Sequence, residues 1–309
     1  MHRIIGALSA SNRGGIYTGL SRYAGSKQEN YSLEYSTRQF LNLVARNRLV
    51  FFGEIHSMPR IVDMQLEVLK AMKALPGTVH VIMEHFSFDM QHLLDDFQSN
   101  MLTFDELYER YRDIGTEGHN LQPYRELLEE ATKEERNVKL HAGFLSRSYA
   151  RQLMKEGEVV TLEAAAPWLK ENTTKLVGSE FHYNIFESLL TGRNIHDGTP
   201  PTDQFKRIFQ AQLLKDEAMA HRVNTLIQKS DDERDRYLVI AGNGHVINYQ
   251  GVPERVLAQH PNLTNCCCLI TSHEWDEDCL SEKSMGDIFD KYNFGPPGAN
   301  PSDFLFVFQ

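Results

Sequence analysis

Six short runs of nearly unbroken apolar residues punctuate the chain: LVFF (49–52), VHVIM (79–83), VKLHA (138–142), YLVIA (237–241), CCCLI (266–270) and FLFVF (304–308). Runs of four or five with no polar alternation predict strands buried on both faces of a parallel sheet. Between them the apolar spacing changes to three and four. Over 61–75, Ile61, Val62, Met64, Leu66, Val68, Leu69, Met72 and Leu75 make a wide helical stripe that Pro76-Gly77 closes. Thr103 and Glu106 predict a capping box opening the next helix, and another runs over 124–135. A helical section over 146–192, interrupted at Gly157, Pro167 and Gly178, leads to the longest helix, about 202–229. Its core-facing series is read as Ile208, Gln212, Asp216, Met219 and Val223.

Strands alternating with helices predict an α/β fold, with a mostly parallel central sheet and helices on both faces. The helical stretches at about 86–135 and 146–230 exceed what crossovers need, so an inserted helical lobe is expected within one domain spanning 29–309. The first 28 residues hold Arg3, Arg13, Arg22 and Lys27 but no Asp or Glu. Two readings stay open there: a mitochondrial or other organellar transit peptide, or a disordered tail of a cytoplasmic protein.

Ligands of open parallel sheets bind beyond the carboxyl ends of the strands, so the residues following each run matter most. They are Gly53-Glu54-Ile55-His56, Glu84-His85, Gly242-Asn243-Gly244-His245 and Thr271-Ser272-His273-Glu274. The two Gly-x-x-His motifs suggest sharp turns where a glycine relieves Cβ restrictions. Glu54, His56, Glu84 and His245 are therefore expected to share one catalytic site, with His56, Glu84 and His245 as candidate metal ligands. Gln212 and Asp216, four apart on one helix face, would orient a site residue or line the cleft. His80, His92, His119, His196 and His260 lack comparable context and are read as ordinary.

Composition narrows the chemistry. A formal charge of −10 gives no electrostatic case for nucleic acid or an anionic membrane. No stretch approaches the roughly 20 apolar residues of a membrane span. Cys266, Cys267 and Cys268 alternate faces on one strand and, with Cys279, fit neither a zinc site nor a disulfide framework. His-Glu-x-x-His, Gly-x-Ser-x-Gly and phosphate-loop motifs are absent from the sequence, as is Cys-x-x-Cys-His for covalent haem.

The stretches GEIHSMPRIVDMQLEVL, VIMEHFSFDMQHLLDDF, HNLQPYRELLEEA, HAGFLSRSYARQLMKEG, AQLLKDEAMA, IAGNGHVINYQGVPERV and SDFLFVF resemble the ChaN-like haem-binding uptake family of the Tiki/TraB/erythromycin esterase-like superfamily. The resemblance covers about residue 45 to the end. It implies an α/β fold with a helical lobe, haem as the cofactor with a tyrosine as iron ligand, and a homodimer holding haem between subunits. Tyr111, Tyr124, Tyr183 and Tyr249 are the candidate ligands, and Arg147, Arg151 and Arg255 the candidate propionate partners. Carried over by motif, the signature residues are Glu54, His56, Glu84 and His245. With no cysteine before Cys266, an N-terminal lipid anchor is not expected. Relatives in the superfamily imply the alternative, a hydrolase acting through His and Glu with or without a divalent metal ion. A scaffold without chemistry is the third reading.

Overall fold

The structure is a computed structural model describing residues 5–9, 16–20, 33–36, 41–42, 44–115, 117–133, 137–273 and 302–308. Strands β1 (Ile5–Ser9), β2 (Ile16–Leu20) and β3 (Leu33–Ser36) form an antiparallel sheet in chain order. Two of them fall within the stretch expected to be a tail. Glu274 and Cys279 lie outside the described residues.

The main sheet contains β4 (Leu49–Glu54), β5 (Val79–Ser87), β6 (Val138–Phe144), β7 (Arg236–Gly242), β8 (Cys266–His273) and β9 (Phe304–Phe308). Each apolar run of the sequence lies in one of them. Their order is β6-β5-β7-β4-β8-β9, and every neighbouring pair is parallel. From β4 the chain moves out to β5 and β6, returns to insert β7 between β5 and β4, then crosses to β8 on the far side. This reversal puts the carboxyl ends of β5, β7 and β4 side by side, the usual place for a ligand crevice in such sheets.

Successive residues of the inner strands enter two different cores, which is why their runs show no polar alternation, whereas VKLHA on the edge strand β6 alternates, with Lys139 exposed. Val50, Phe52, Val81, Met83, Leu238 and Ile240 face one core, while Leu49, Phe51, Ile82, Val239 and Ala241 face the other. The first core is covered by α1 (Pro59–Lys73), α2 (Gln91–Gln98), α3 (Phe104–Ile114) and α4 (Arg125–Ala131). A buried Lys73–Glu130 ion pair of 2.6 Å ties α1 to α4. The connection from β6 to β7 carries α5 (Arg147–Glu156), α6 (Glu158–Ala165), α7 (Glu180–Thr191) and α8 (Lys206–Lys229). Helix α9 (Val252–Gln259) packs with the second half of α8 on the other core. Helices α2–α4 thus lie between β5 and β6, and α5–α8 between β6 and β7.

The Thr103–Glu106 capping box forms as read, satisfying two donors at the start of α3. The phase of α8 departs from the reading. Ile208 is 43% exposed, and the core side begins at Phe209 and Leu213. Phe209 packs on the rings of Tyr183 and Phe186, so the bulk of an aromatic side chain sets the rotation rather than the apolar character of its neighbour. Among the described residues, no helix is long and apolar enough to cross a membrane.

Candidate functional site

The site begins where β4 ends. Gly53 does not turn the chain. A Cβ there would lie 2.7 Å from both Asn243 Oδ1 and Val246 Cγ2, so the glycine lets the connection after β7 press against β4. Asn243 is itself fixed by Thr271, whose N–H it accepts at 3.0 Å and whose carbonyl it donates to at 2.6 Å. The turn comes four residues after Gly53, at Ser57, which takes the left-handed conformation at φ 60°. Such a backbone is uncommon without glycine and is held here by contacts. The Ser57 N–H donates to Tyr124 Oη at 3.0 Å and its hydroxyl to the Asn120 carbonyl at 3.2 Å.

Glu54 is the hub. One of its oxygens accepts from His56 Nδ1 (2.7 Å), His85 Nε2 (2.9 Å) and Tyr124 Oη (2.5 Å), while the other accepts from Gln65 on α1. Burial alone would raise the carboxyl pKa, but His85 and His56 outweigh it by charge and hydrogen bonding and hold Glu54 far below the usual carboxylate range.

Glu84 is the second anion. Burial pushes its pKa up, while His245, His56, Lys215 and the Gly242 N–H, 2.6 Å away, bring it down to about 2. A Cβ on Gly242 would come within 3.1 Å of His56 Nε2, so this glycine too makes room. The Nε2 atoms of His56 and His245 lie 3.6 and 3.8 Å from Glu84 Oε1. Each ring is anchored behind by a carboxylate, His56 by Glu54 and His245 by Asp216, whose Oδ1 is 2.6 Å from Nδ1. With that oxygen accepting, His245 Nδ1 carries the proton, and the neighbouring Gln212 amide donates instead to the Gly244 carbonyl at 3.0 Å. Behind Asp216 lies His182, 1% exposed, 4.0 Å from Asp216 Oδ2 and 3.6 Å from Glu254. Carboxylates and imidazoles thus alternate from Glu254 to Glu54.

The four residues expected to converge are linked in one series, and the series reaches solvent through His56, whose side chain is 36% exposed. Burial lowers the His56 pKa, but its hydrogen bond to Glu54 and the charge of Glu84 raise it overall. The structure also brings in residues the sequence reading set aside. His119, read as ordinary, stands edge-on to His56 and His85 with ring centroids 4.8 and 5.0 Å away. Burial first, then the charges of His85 and His56, drive its pKa down to about 3. The three-residue set whose ligand atoms all lie within 4.8 Å of one another is His56, His85 and His119. The sequence-derived set of His56, Glu84 and His245 instead has Glu84 between two rings. Lys215, one residue before Asp216, sits 5.0 Å above the Phe144 ring, and its charge acts on both His56 and Glu84.

The expected tyrosine ligands are otherwise engaged. Tyr124 is fully buried and donates to Glu54, Tyr111 donates to the His85 carbonyl at 3.0 Å, Tyr183 to the Thr202 carbonyl and Tyr249 to Asp303. Burial raises the pKa of all four, and Glu54 and Asp303 reinforce this at Tyr124 and Tyr249. Tyr124 and Tyr249 each donate to a carboxylate here, so either would have to leave that partner to ligate a cofactor. Arg255 is spoken for by Glu217, Glu254 and the Val177 carbonyl. Arg147 and Arg151 are exposed on α5, with Arg147 Nε 3.9 Å from the buried Glu117. Asp216 holds His245, and Gln212 holds the Gly244 carbonyl beside it. Beside the site, at the ends of β5 and β6, a cavity of about 400 Å³ is lined by Phe88, Tyr149 and Trp168 among others.

Fold and site together define an α/β protein with an imidazole–carboxylate centre at the carboxyl edge of its sheet. The sequence profile described as "Haem-binding uptake, Tiki superfamily, ChaN" matches residues 40–256, and the chain belongs to that family. ChaN of Campylobacter jejuni, solved with cofacially bound haem, shares the fold at TM-score 0.53 and 13% identity, over 79% of this chain and 89% of that one. An erythromycin esterase, EreC in its open conformation, aligns at TM-score 0.45 and 12% identity over 76% and 72%. The C-terminal region of Pasteurella multocida toxin aligns at 0.42 and 12%, over 77% of this chain and 25% of that one. No curated protein matches by sequence.

Proposed function

We propose that the chain binds haem or a related iron tetrapyrrole at this sheet edge, beneath the helical lobe. Family membership supports the ligand class, and one structural observation carries the placement. Leu189 and Leu190 on α7 are 41% and 51% exposed, and Leu189 lies within 3.7 Å of where a side chain on Gly244 would begin. A wall of solvent-facing leucine thus adjoins the bare backbone beside His245. Apolar walls with few convergent polar groups are what a planar, largely apolar ligand requires. The donor set fits with one change from the resemblance: the iron ligand is an imidazole at the half-buried mouth, His56 or His119, rather than a tyrosine. Haem supplies an iron centre, and the surrounding residues orient it and set the polarity of its pocket. Titration of the purified protein with haemin should give a saturable Soret shift that survives Tyr124→Phe and Tyr249→Phe. A shift lost in those variants and retained in His56→Ala and His119→Ala would overturn the imidazole assignment, and no shift at all would remove the haem reading.

A second reading has its own observation. His56 and His245 are each backed by a carboxylate and face a third, Glu84, an arrangement suited to moving protons in ester or amide hydrolysis. A hydrolase would lose at least about 100-fold in kcat when either imidazole is removed. Turnover of an ester and peptide panel by the wild type, lost in His245→Ala, would establish it.

A further inference from the structure

We infer that His56, His85 and His119 form a binding site for a divalent transition-metal cation, with Glu54 as the carboxylate that orients two of the three rings. One ring nitrogen from each lies within 4.8 Å of the other two. Metal–nitrogen bonds of about 2.0–2.1 Å put tetrahedral ligands roughly 3.4 Å apart, so the rings must close by a little over an ångström. His85 is fully buried and defines the fixed corner, so the closure falls to the less buried His56 and His119.

Two further observations point to a cation. Glu54 accepts from Nδ1 of His56 and Nε2 of His85, which fixes both tautomers and leaves the other nitrogen of each ring with its lone pair. Carboxylates hold metal-binding histidines in this way from behind. The remaining nitrogen, His85 Nδ1, is buried with no hydrogen-bond partner, an unfavourable arrangement that a bound cation would relieve. Glu54 and Glu84 bring two negative charges close by, against Lys215 and Arg147, the latter acting on His119. Three imidazoles in this setting suit zinc, iron, cobalt, nickel or copper rather than magnesium or calcium, and the exposed side of His56 leaves a coordination position for water or substrate.

The inference does not depend on tetrapyrrole binding. The test titrates the haem-free, chelator-treated full chain with Co²⁺, reading visible d–d absorption and the bound metal after desalting. One equivalent should bind. His119→Ala should weaken binding at least tenfold, while His92→Ala, at an exposed histidine on α2, should match the wild type. Circular dichroism confirms that His119→Ala is folded, and His119→Cys should restore binding with a sulfur-to-cobalt charge-transfer band. No bound cobalt, or equal affinity in the wild type and His119→Ala, would refute the site. A haemin Soret shift without cobalt binding would sink this inference alone, and cobalt binding without a Soret shift would sink only the other.

Discussion

Strand β5 carries histidines at both ends, and they live in opposite chemical worlds. At the amino end His80 meets His141 across a 2.9 Å hydrogen bond, stacks on Tyr237 at 5.0 Å, and has Asp235 3.8 Å away. Burial is the main reason both imidazoles have lowered pKa values, to about 3 for His141. At the carboxyl end His85, His56 and His245 face Glu54, Glu84 and Asp216, and the His56 pKa is raised. At the amino end burial keeps His80 and His141 neutral, whereas at the carboxyl end the hydrogen bond to Glu54 and the charge of Glu84 draw His56 toward its protonated form. What separates site from scaffold here is the placement of three buried anions, more than that of the histidines.

The sharpest way to break the contrast is to remove the hub. Glu54→Ala deletes the acceptor for His56, His85, Tyr124 and Gln65 at once. Removing one partner of a buried ionic network typically costs about 3–5 kcal/mol, and a loss of that size is expected in urea or guanidinium unfolding. If the midpoint moves by less than about 1 kcal/mol equivalent, Glu54 is not the group holding these rings.

Much of this contrast was legible in the sequence, and the parts that were not have identifiable causes. The apolar runs gave away the strands because both faces are buried, and the sheet-edge rule then singled out Glu54, His56, Glu84 and His245. His85 was harder to place. Strict alternation would send adjacent strand residues to opposite faces, but the pairing of β5 with β6 shifts register between Met83 and Ser87. Met83 and Phe86 consequently reach the same core, and Glu84 and His85 both reach the site. His119 lies on the irregular connection between α3 and α4, where no period exists to read. The glycines were recognised as special for the wrong reason, since Gly53 and Gly242 provide space rather than a turn. Lys215 was hidden inside a helical stripe whose phase only the packing of Phe209 reveals.

A smaller effect sharpens the comparison from the amino end. The unfolded chain protonates a histidine near pH 6.5, whereas folded His141 resists until about 3. Between those values the unfolded state binds the extra proton, so stability fully present above pH 6.5 is lost as pH falls toward 3. This residue contributes at most about 1.4 kcal/mol per pH unit to the slope, and His80 acts in the same direction. His141→Phe should therefore flatten the decline in unfolding free energy between pH 7 and pH 5. An unchanged slope would mean that these imidazoles are not held neutral.

The smallest stability effect tests the rim rather than the network. Leu189 is 41% exposed, so Leu189→Ser should lower the unfolding free energy by only about 1 kcal/mol, less than removal of a fully buried leucine. Its position beside Gly244 makes it part of the wall against which an apolar ligand would lie. Losing one leucine contact of this kind costs roughly 1–2 kcal/mol in binding, which corresponds to a haemin affinity weakened about five- to thirty-fold. A folded variant with undiminished affinity would place the ligand elsewhere, with the cavity between Phe88, Tyr149 and Trp168 the next surface to probe. The polar network would then serve proton transfer without an apolar wall, favouring hydrolysis. One exposed side chain therefore discriminates between the two functions without disturbing any residue of the imidazole–carboxylate series.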